Sequence, residues 1–316
     1  MCPTRHWSLN IMGNRNLKYY GGLMIAMVAW GGSWVSAKVV VDIAPPMTIG
    51  FFRFLIAAFL FVVTLKISQG SVQNLLNRQN IKAFLLLGTT GIFGYGVLFL
   101  TGMRFTTAAQ GSIIAGFNPV TTSIFAAIIH KEKLVRKWQY VGFALSFAGV
   151  IFVVGVQSLL DFRLDYLIGN LIILGGMILW GLYSSIGKET MKKISPLEAN
   201  AGGTIVGALL FGTAMIFEKP WNLSSFTNVL FWSNVAYLGV AVTFVGFLLY
   251  FISVKEIGAT QSGGFINFVP VFGTLFSLLL LQEPFYWTFL VGLLLVISGV
   301  GIINFSPPKS SKQRNP

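Results

Sequence analysis

Residues 19–41 read YYGGLMIAMVAWGGSWVSAKVVV, and residues 166–188 read YLIGNLIILGGMILWGLYSSIGK. Each stretch is predominantly apolar and has about the 20 residues that a helix needs to cross the hydrocarbon core of a bilayer. Both also place a Trp-Gly pair at the same depth, Trp30-Gly31 in the first stretch and Trp180-Gly181 in the second. The two stretches therefore predict transmembrane helices that are copies of one unit.

The composition extends this prediction to the whole chain of 316 residues, of which 55% are hydrophobic and 10% charged. Soluble domains carry about 25% charged residues. The apolar residues form blocks of about 20 and lack the alternation of β-barrel strands. We predict an all-α protein with polar tails at 1–18 and 306–316. Its ten spans, in order, are 19–41, 47–66, 82–103, 107–129, 138–157, 166–188, 197–217, 229–252, 259–281 and 286–305.

The basic residues predict the orientation of these spans. The net charge is +13, but Lys and Arg lie in short runs between apolar blocks and not on one amphipathic face, so we expect no nucleic-acid partner. With both termini in the cytoplasm, most Lys and Arg fall on the cytoplasmic side, as the positive-inside rule requires. The exceptions are Lys38, Arg53, Arg104, Arg163 and Lys219. We predict a multi-pass protein of the inner (plasma) membrane.

The Trp-Gly pair is part of a longer internal repeat. Positions that recur at an offset of 150 or 151 residues include Trp30 and Trp180, Lys38 and Lys188, Pro46 and Pro196, Pro119 and Pro270, Glu132 and Glu283, and Gly149 and Gly299. Each copy holds five spans. Because five is odd, the second copy enters the membrane from the opposite side. We expect one repeat over 19–157 and an inverted repeat over 166–305, the architecture of many secondary transporters.

The chain resembles the EamA-type branch of the drug/metabolite transporter superfamily over about residues 19–305. The motifs that carry the resemblance are Trp30-Gly31, Arg53-Phe54-Leu55, Ala108-Ala109 and Pro119, and then Trp180-Gly181, Ala259, Pro270 and Glu283-Pro284. The resemblance implies ten helices, cytoplasmic termini and a cavity between the halves. It also implies export or exchange of amino acids, nucleobases, amphipathic drugs or related metabolites. One departure is Gly203, which stands at the position that corresponds to Arg53.

Two aromatic clusters are candidates for the wall of that cavity. Trp30, Ser33 and Trp34 share one face of the first span, and Trp180 and Tyr183 share one face of the sixth. Both clusters lie near mid-span, where anchoring at the membrane interface does not account for Trp. We predict that these residues bind a small amphipathic solute. Ordinary helix packing is the alternative.

A second group of candidates lies where spans are expected to bend. A Pro in mid-helix leaves a backbone carbonyl without its helical partner, and a buried Asn is costly unless it is paired. We predict that Pro119 and Pro270 act as hinges and that the neighbouring Asn118 and Asn267 line the cavity, with interhelical packing as the alternative. Tyr95, among the glycines of the third span, is a further candidate for the cavity.

The charged residues of the spans are few. We expect Arg53 to snorkel to the head groups or to form a structural tie, with attraction of an anion as the alternative. We expect Glu132 and Glu283 to be structural, each stabilised by the N-terminus of the helix that follows it, with a gating ion pair as the alternative. No predicted span interior contains a carboxylate or His that could relay protons. Since P-loop, dinucleotide and metal-ligand patterns are also missing, we expect neither cofactor nor metal, and no enzymatic activity.

These features together predict a secondary transporter of a small metabolite, with amino acids or related amphipathic compounds as the favoured substrates. We expect it to work by alternating access in the lipid bilayer, as a monomer or homodimer. A sugar-phosphate, nucleotide-type or drug carrier of the same superfamily is one alternative. A non-transporting membrane scaffold or lipid-handling protein is an alternative of another class.

Overall fold

The computed structural model describes residues 14–68, 72–130, 137–152, 164–222, 224–257, 262 and 265–304, and its regular structure in these ranges is helical. The helices are α1 (Asn14–Val41), α2 (Pro46–Ile67), α3 (Arg78–Leu87), α4 (Tyr95–Phe105), α5 (Ala108–Ala115), α6 (Asn118–His130), α7 (Lys137–Ile151), α8 (Leu164–Thr190), α9 (Pro196–Met215), α10 (Val229–Ala236), α11 (Gly246–Ile257), α12 (Phe268–Leu280) and α13 (Trp287–Asn304). The prediction of an all-α chain is confirmed for the described residues.

Seven helical segments are long and apolar enough to cross a bilayer. They are Leu17–Val41, Pro46–Ile67, Arg78–Phe105, Ala108–Ile129, Asp165–Thr190, Pro196–Glu218 and Val229–Ser253. Three shorter apolar helices, Tyr140–Ile151, Phe268–Leu280 and Trp287–Gly299, lie within the predicted fifth, ninth and tenth spans. The predicted end of the fifth span, most of the start of the ninth, most of both tails and Glu132 lie outside the described residues.

The third and eighth spans share an irregularity at their centres. A π-helical segment, Gly88–Gly94, joins α3 to α4, and a second one, Tyr237–Val245, joins α10 to α11. Glycine lets a neighbouring helix approach the first segment closely, because a Cβ added at Gly91 would overlap the ring of Tyr183. π-Helical turns occur often at functional sites. Both segments contribute to the cavity described below.

The fourth and ninth spans are interrupted near their Pro residues, and the expectation of a kink within a continuous helix needs correction. Helix α5 ends at Ala115, and after a turn at Gly116 and Phe117 the chain starts α6, of which Pro119 is the second residue. Pro270 likewise lies in the first turn of α12. N–H groups in a first turn have no partner within the helix, so Pro costs no hydrogen bond there.

The helices pack in pairs that respect the internal repeat. The first span packs on the ninth (α1 with α12), and the sixth packs on the fourth (α8 with α6). The first also packs on the eighth (α1 with α11), and the sixth on the third (α8 with α4). The other main pairs are the second with the seventh, the fifth with the tenth, the fourth with the ninth, the third with the seventh and its counterpart, the second with the eighth. Exchanging the two halves of the chain maps this set of pairs onto itself.

The glycines of the two Trp-Gly pairs serve equivalent contacts in this arrangement. A Cβ added at Gly31 would lie 3.0 Å from the backbone nitrogen of Gly273 in α12 and would also overlap Phe272. A Cβ added at Gly181 would lie 2.7 Å from the backbone of Thr121 in α6. Helices α1 and α8 therefore approach their partners in the other half at backbone contact. The Trp beside each glycine is fixed at the centre of the molecule.

Candidate functional site

A cavity of about 60 Å³ lies where the two halves meet. Its wall is formed by side chains from the first four spans and from the sixth, eighth and ninth spans. A buried water needs about 10–15 Å³ of such space, so the cavity has room for a few water-sized groups. A metabolite is larger than this space, so its binding requires the cavity to widen.

Aromatic rings from both halves form the centre of the wall. The rings of Trp30 and Trp180 meet edge to face, with centroids 6.3 Å apart. Phe247 lies against both, with centroids 5.6 Å from Trp30 and 5.9 Å from Trp180. Tyr95 packs on Trp180 at 4.9 Å. Edge-to-face contacts of this kind stabilise a pocket and leave apolar ring surface for a ligand.

The polar side-chain atoms of Trp30 and Ser33 in the first span form hydrogen bonds with backbone carbonyls of the protein. The indole Nε1 of Trp30 donates to the carbonyl of Val242 in the π-helical segment of the eighth span, at 3.0 Å. The hydroxyl of Ser33 donates to the carbonyl of Trp30 at 2.6 Å. Trp34 packs edge to face on Phe99 at 4.9 Å. The Trp30 indole N–H is thus occupied by a backbone carbonyl of the π-helical segment, and its ring forms part of the cavity wall.

The candidates from the sequence divide into two groups. Trp30, Ser33, Trp34, Tyr95, Asn118 and Trp180 line the cavity together. Tyr183 lies behind Trp180, with ring centroids 5.4 Å apart. Asn267 is half-buried at the start of α12, and its neighbours Ile266 and Val269 form the wall there. Pro119 and Pro270 follow the helix breaks beside the cavity. Their hinge role and substrate contact by the whole group stay predictions.

Arg53 also lines the cavity, and of the two roles expected for it the structure shows the structural tie and not snorkelling to the head groups. Its side chain is only 5% exposed. Its Nε donates to the hydroxyl of Thr243 at 3.1 Å. The guanidinium carbon lies 4.8 Å from the ring centroid of Phe54 and 5.8 Å from that of Phe99. These contacts draw the side chain inward and keep it from the membrane surface.

Two polar atoms of the cavity wall have no hydrogen-bond partner among the residues that the structure describes. They are Nη1 of Arg53 and Oδ1 of Asn118. Asn118 is the first residue of α6, directly after the break in the fourth span. Buried polar groups in proteins are almost always paired. The site therefore offers one cationic donor and one neutral acceptor for a ligand.

Carboxylates lie at the ends of the spans, and four of them accept hydrogen bonds from the first half of the chain: Glu198, Glu218, Glu256 and Glu283. Glu283 accepts hydrogen bonds from the backbone N–H groups of Ala108 (2.7 Å) and Ala109 (3.0 Å) and from the hydroxyl of Ser277 (2.7 Å). Glu283 thus has the structural role expected from the sequence, but the helix start that it stabilises is that of α5 and not that of the helix that follows it. Glu218 accepts from the N–H groups of Met47 (2.9 Å) and Thr48 (2.7 Å) at the start of α2.

A buried polar network that the sequence did not predict lies at the same N-terminal end of α5. The hydroxyl of Thr106 donates to Oδ1 of Asn170 at 2.6 Å, and the amide of Asn170 donates to Oε1 of Gln110 at 2.6 Å. All three side chains are buried. The network ties the fourth span to the sixth. No group of three or more His, Cys, Asp or Glu suited to a metal ion occurs in the described ranges.

Known proteins share this repeat and this fold. The EamA-like transporter family matches residues 17–155 and again residues 167–305. The chain belongs to the EamA-like transporter family. The resemblance predicted from the sequence is thereby confirmed, and with it the assignment as a multi-pass membrane protein of a transporter family.

Relatives of this EamA-like protein match it over most of their length. It is 30% identical to the uncharacterized transporter YyaM of Bacillus subtilis (strain 168), over 95% of this chain and 99% of that protein. It is 24% identical to the uncharacterized inner membrane transporter YhbE of Escherichia coli (strain K12), over 82% of this chain and 81% of that protein. A crystal structure with 17% sequence identity shares the fold, with a TM-score of 0.66 over 90% of this chain and 97% of that chain.

Proposed function

We propose that this EamA-like protein is a secondary transporter that carries a small amphipathic metabolite, such as an amino acid or a related compound, by alternating access. The observation that carries the proposal is the cavity shared by the two halves, with Trp30 and Trp180 in contact at its centre. Transporter sites built from internal repeats lie at the interface of the repeats. A ligand bound between these rings contacts both halves, so its contacts change when one half moves relative to the other.

The packing supports an arrangement of ten spans as two inverted repeats over 19–157 and 166–305. The main helix pairs are preserved when the halves are exchanged, which is what a pseudo-twofold axis produces. Five spans per repeat give the second copy the opposite orientation, so the axis lies in the plane of the membrane. The equivalent close contacts at Gly31 and Gly181 fit the same axis.

Alternating access then requires one end of the cavity to open while the other stays closed. With both termini in the cytoplasm of an inner-membrane protein, Glu218 and Glu283 lie on the outer side. Their carboxylates hold the starts of α2 and α5 to the second half of the chain. Outward opening separates these groups. The helix breaks before Pro119 and Pro270 provide positions where the fourth and ninth spans can bend.

The cavity wall argues against a passive scaffold. A scaffold gains nothing from burying a guanidinium and an amide oxygen without partners, and each such group costs free energy. Among the described residues, the wall also holds none of the Asp, Glu, His or Cys side chains on which hydrolytic catalysis commonly relies. Transport gives the two unpaired groups a role, because a passing solute can satisfy them.

The test is counterflow in proteoliposomes that contain the purified protein. Vesicles loaded with one unlabelled compound are diluted into the same labelled compound, for a panel of amino acids, nucleobases and sugar phosphates. We expect at least one compound to accumulate above protein-free vesicles. Trp30→Ala and Trp180→Ala should reduce that flux, and Trp138→Ala should not, because Trp138 is 69% exposed on α7. Flux in none of the panel, with a folded and inserted protein, would favour the scaffold.

A further inference from the structure

The π-helical segment of the eighth span is fixed to the first half of the chain by side-chain hydrogen bonds. Nε of Arg53 in α2 donates to the hydroxyl of Thr243 at 3.1 Å, and that hydroxyl donates to the carbonyl of Leu238 at 2.8 Å. Nε1 of Trp30 in α1 donates to the carbonyl of Val242 at 3.0 Å. Two spans of the first half therefore hold one turn of this segment.

A third hydrogen bond holds the start of the same segment. The hydroxyl of Tyr237, its first residue, donates to the carbonyl of Ala29 in α1 at 2.9 Å. The backbones are also close, because a Cβ added at Gly239 would lie 2.8 Å from the backbone oxygen of Arg53. Hydrogen bonds between helices stabilise their association in a membrane. The first, second and eighth spans are thus joined near both ends of the segment.

The equivalent segment of the third span, Gly88–Gly94, lacks such bonds. In the part of the chain that the structure describes, no side chain of the second half forms a hydrogen bond with it. The hydroxyls of Thr89 and Thr90 donate to carbonyls of α3 in the same span. The segment meets the second half through packing, for example of Gly91 on the ring of Tyr183. Packed helices can slide past one another without breaking hydrogen bonds.

This difference between the segments follows from the sequence. At the repeat offset of 150 residues, each side chain that holds the segment of the eighth span by its own polar group has an apolar counterpart or none. The corresponding pairs are Arg53 and Gly203, Thr243 and Phe93, and Tyr237 and Leu87. Gly, Phe and Leu side chains neither donate nor accept hydrogen bonds. The two copies of the repeat therefore hold their π-helical segments with different strength.

We infer that Arg53 and Thr243 are positioning residues that keep the first, second and eighth spans together as one unit during transport, while the third span shifts against the sixth and seventh. This inference rests on the proposed transport function and identifies the part that moves. Gly91, Ile92 and Tyr95 of the third span line the cavity. A shift of this span therefore changes the cavity wall on one side and leaves the wall at Trp30 in place.

Hydrogen exchange of the purified protein in nanodiscs tests the positioning role without a transported compound. After correction for intrinsic rates, residues 237–245 should exchange at least about tenfold more slowly than residues 88–94, since each interhelical hydrogen bond contributes about a factor of three. Thr243→Val removes the hydroxyl and should speed exchange in 237–245 at least about threefold. Thr243→Ser keeps the hydroxyl and should behave as wild type. Thr90→Val is the matched control, because Thr90 donates within its own span.

Two disulfides test which contact moves, in a Cys2→Ser background. A Cβ added at Gly22 would lie 3.9 Å from the Cβ of Leu249, between the first and eighth spans. A Cβ added at Gly176 would lie 3.5 Å from the Cβ of Leu98, between the sixth and third spans. Both distances suit a disulfide, and none of the four positions belongs to the described cavity wall.

We expect Gly22→Cys with Leu249→Cys to keep its counterflow after oxidation. Oxidation of Leu98→Cys with Gly176→Cys should lower counterflow at least about tenfold by blocking the conformational step, and a reducing agent should restore it. The reduced form of each protein is its own control for folding.

Loss of counterflow in the oxidised Gly22→Cys, Leu249→Cys protein, or full counterflow in the oxidised Leu98→Cys, Gly176→Cys protein, would overturn the inference. Equal exchange of the two segments, or unchanged exchange in Thr243→Val, would do the same. If the reduced proteins transport no compound of the panel, the proposed function fails, and the exchange rates still decide whether Arg53 and Thr243 hold the eighth span.

Discussion

Glu283 provides the sharpest test of how the outer side closes. Its carboxylate accepts three hydrogen bonds of 2.7–3.0 Å, two of them from the N-terminus of α5. Removing a helix cap costs up to about 2 kcal/mol. We take these hydrogen bonds to form only while the outer side is closed, so their loss destabilises the closed state. A loss of about 2 kcal/mol corresponds to a factor of about 30 in the ratio of two states. Glu283→Ala should therefore raise the population of the outward-open state by about 30-fold.

A cysteine in the cavity reports this population. Cys2 is the only cysteine, so Cys2→Ser combined with Ser33→Cys leaves one thiol, at a cavity position that is 7% exposed. We expect Glu283→Ala to speed labelling of this thiol by an impermeant reagent from outside by roughly the same factor as the population. Glu256→Ala is the matched control, because that carboxylate accepts from Tyr19 at the cytoplasmic end. An unchanged labelling rate in Glu283→Ala would refute the role of this cap in closure.

Two further perturbations follow from the structure. Gly31→Ala and Gly181→Ala should each destabilise the protein by about 1–3 kcal/mol through overpacking, seen as a lower melting temperature, while Gly21→Ala should not, because space is open around it. Collapsing the proton gradient should change flux little; complete loss of flux in sealed vesicles would contradict this.

The helical class, the repeat and the aromatic centre were predictable because they depend on local patterns. Apolar blocks of span length give the helices. The offset of about 150 residues places Trp30 and Trp180 at equivalent depths, and the structure brings their rings together. The spacing of residues along one helix is sufficient to predict the depth of each residue in the membrane and the face of the helix on which it lies.

The errors come from contacts between distant parts of the chain. The depth of Arg53 in its span was predictable, but its partner Thr243 lies 190 positions away, and the π-helical geometry around Thr243 has no clear sequence signal. Glu283 caps a helix 175 positions earlier. The position that corresponds to Asn118 in the repeat is Val269 and not Asn267, which explains why Asn118 and Val269 both line the cavity.

We propose that the transported compound crosses the membrane through the cavity between the halves. In the Cys2→Ser, Ser33→Cys protein, an impermeant thiol reagent is applied from outside and, in inside-out vesicles, from the cytoplasmic side. We expect the reagent to label the thiol at position 33 from both sides. A transported compound should protect the thiol from the reagent, and modification of the thiol should abolish counterflow. Labelling from neither side in a protein that still transports, or full flux after modification, would contradict it.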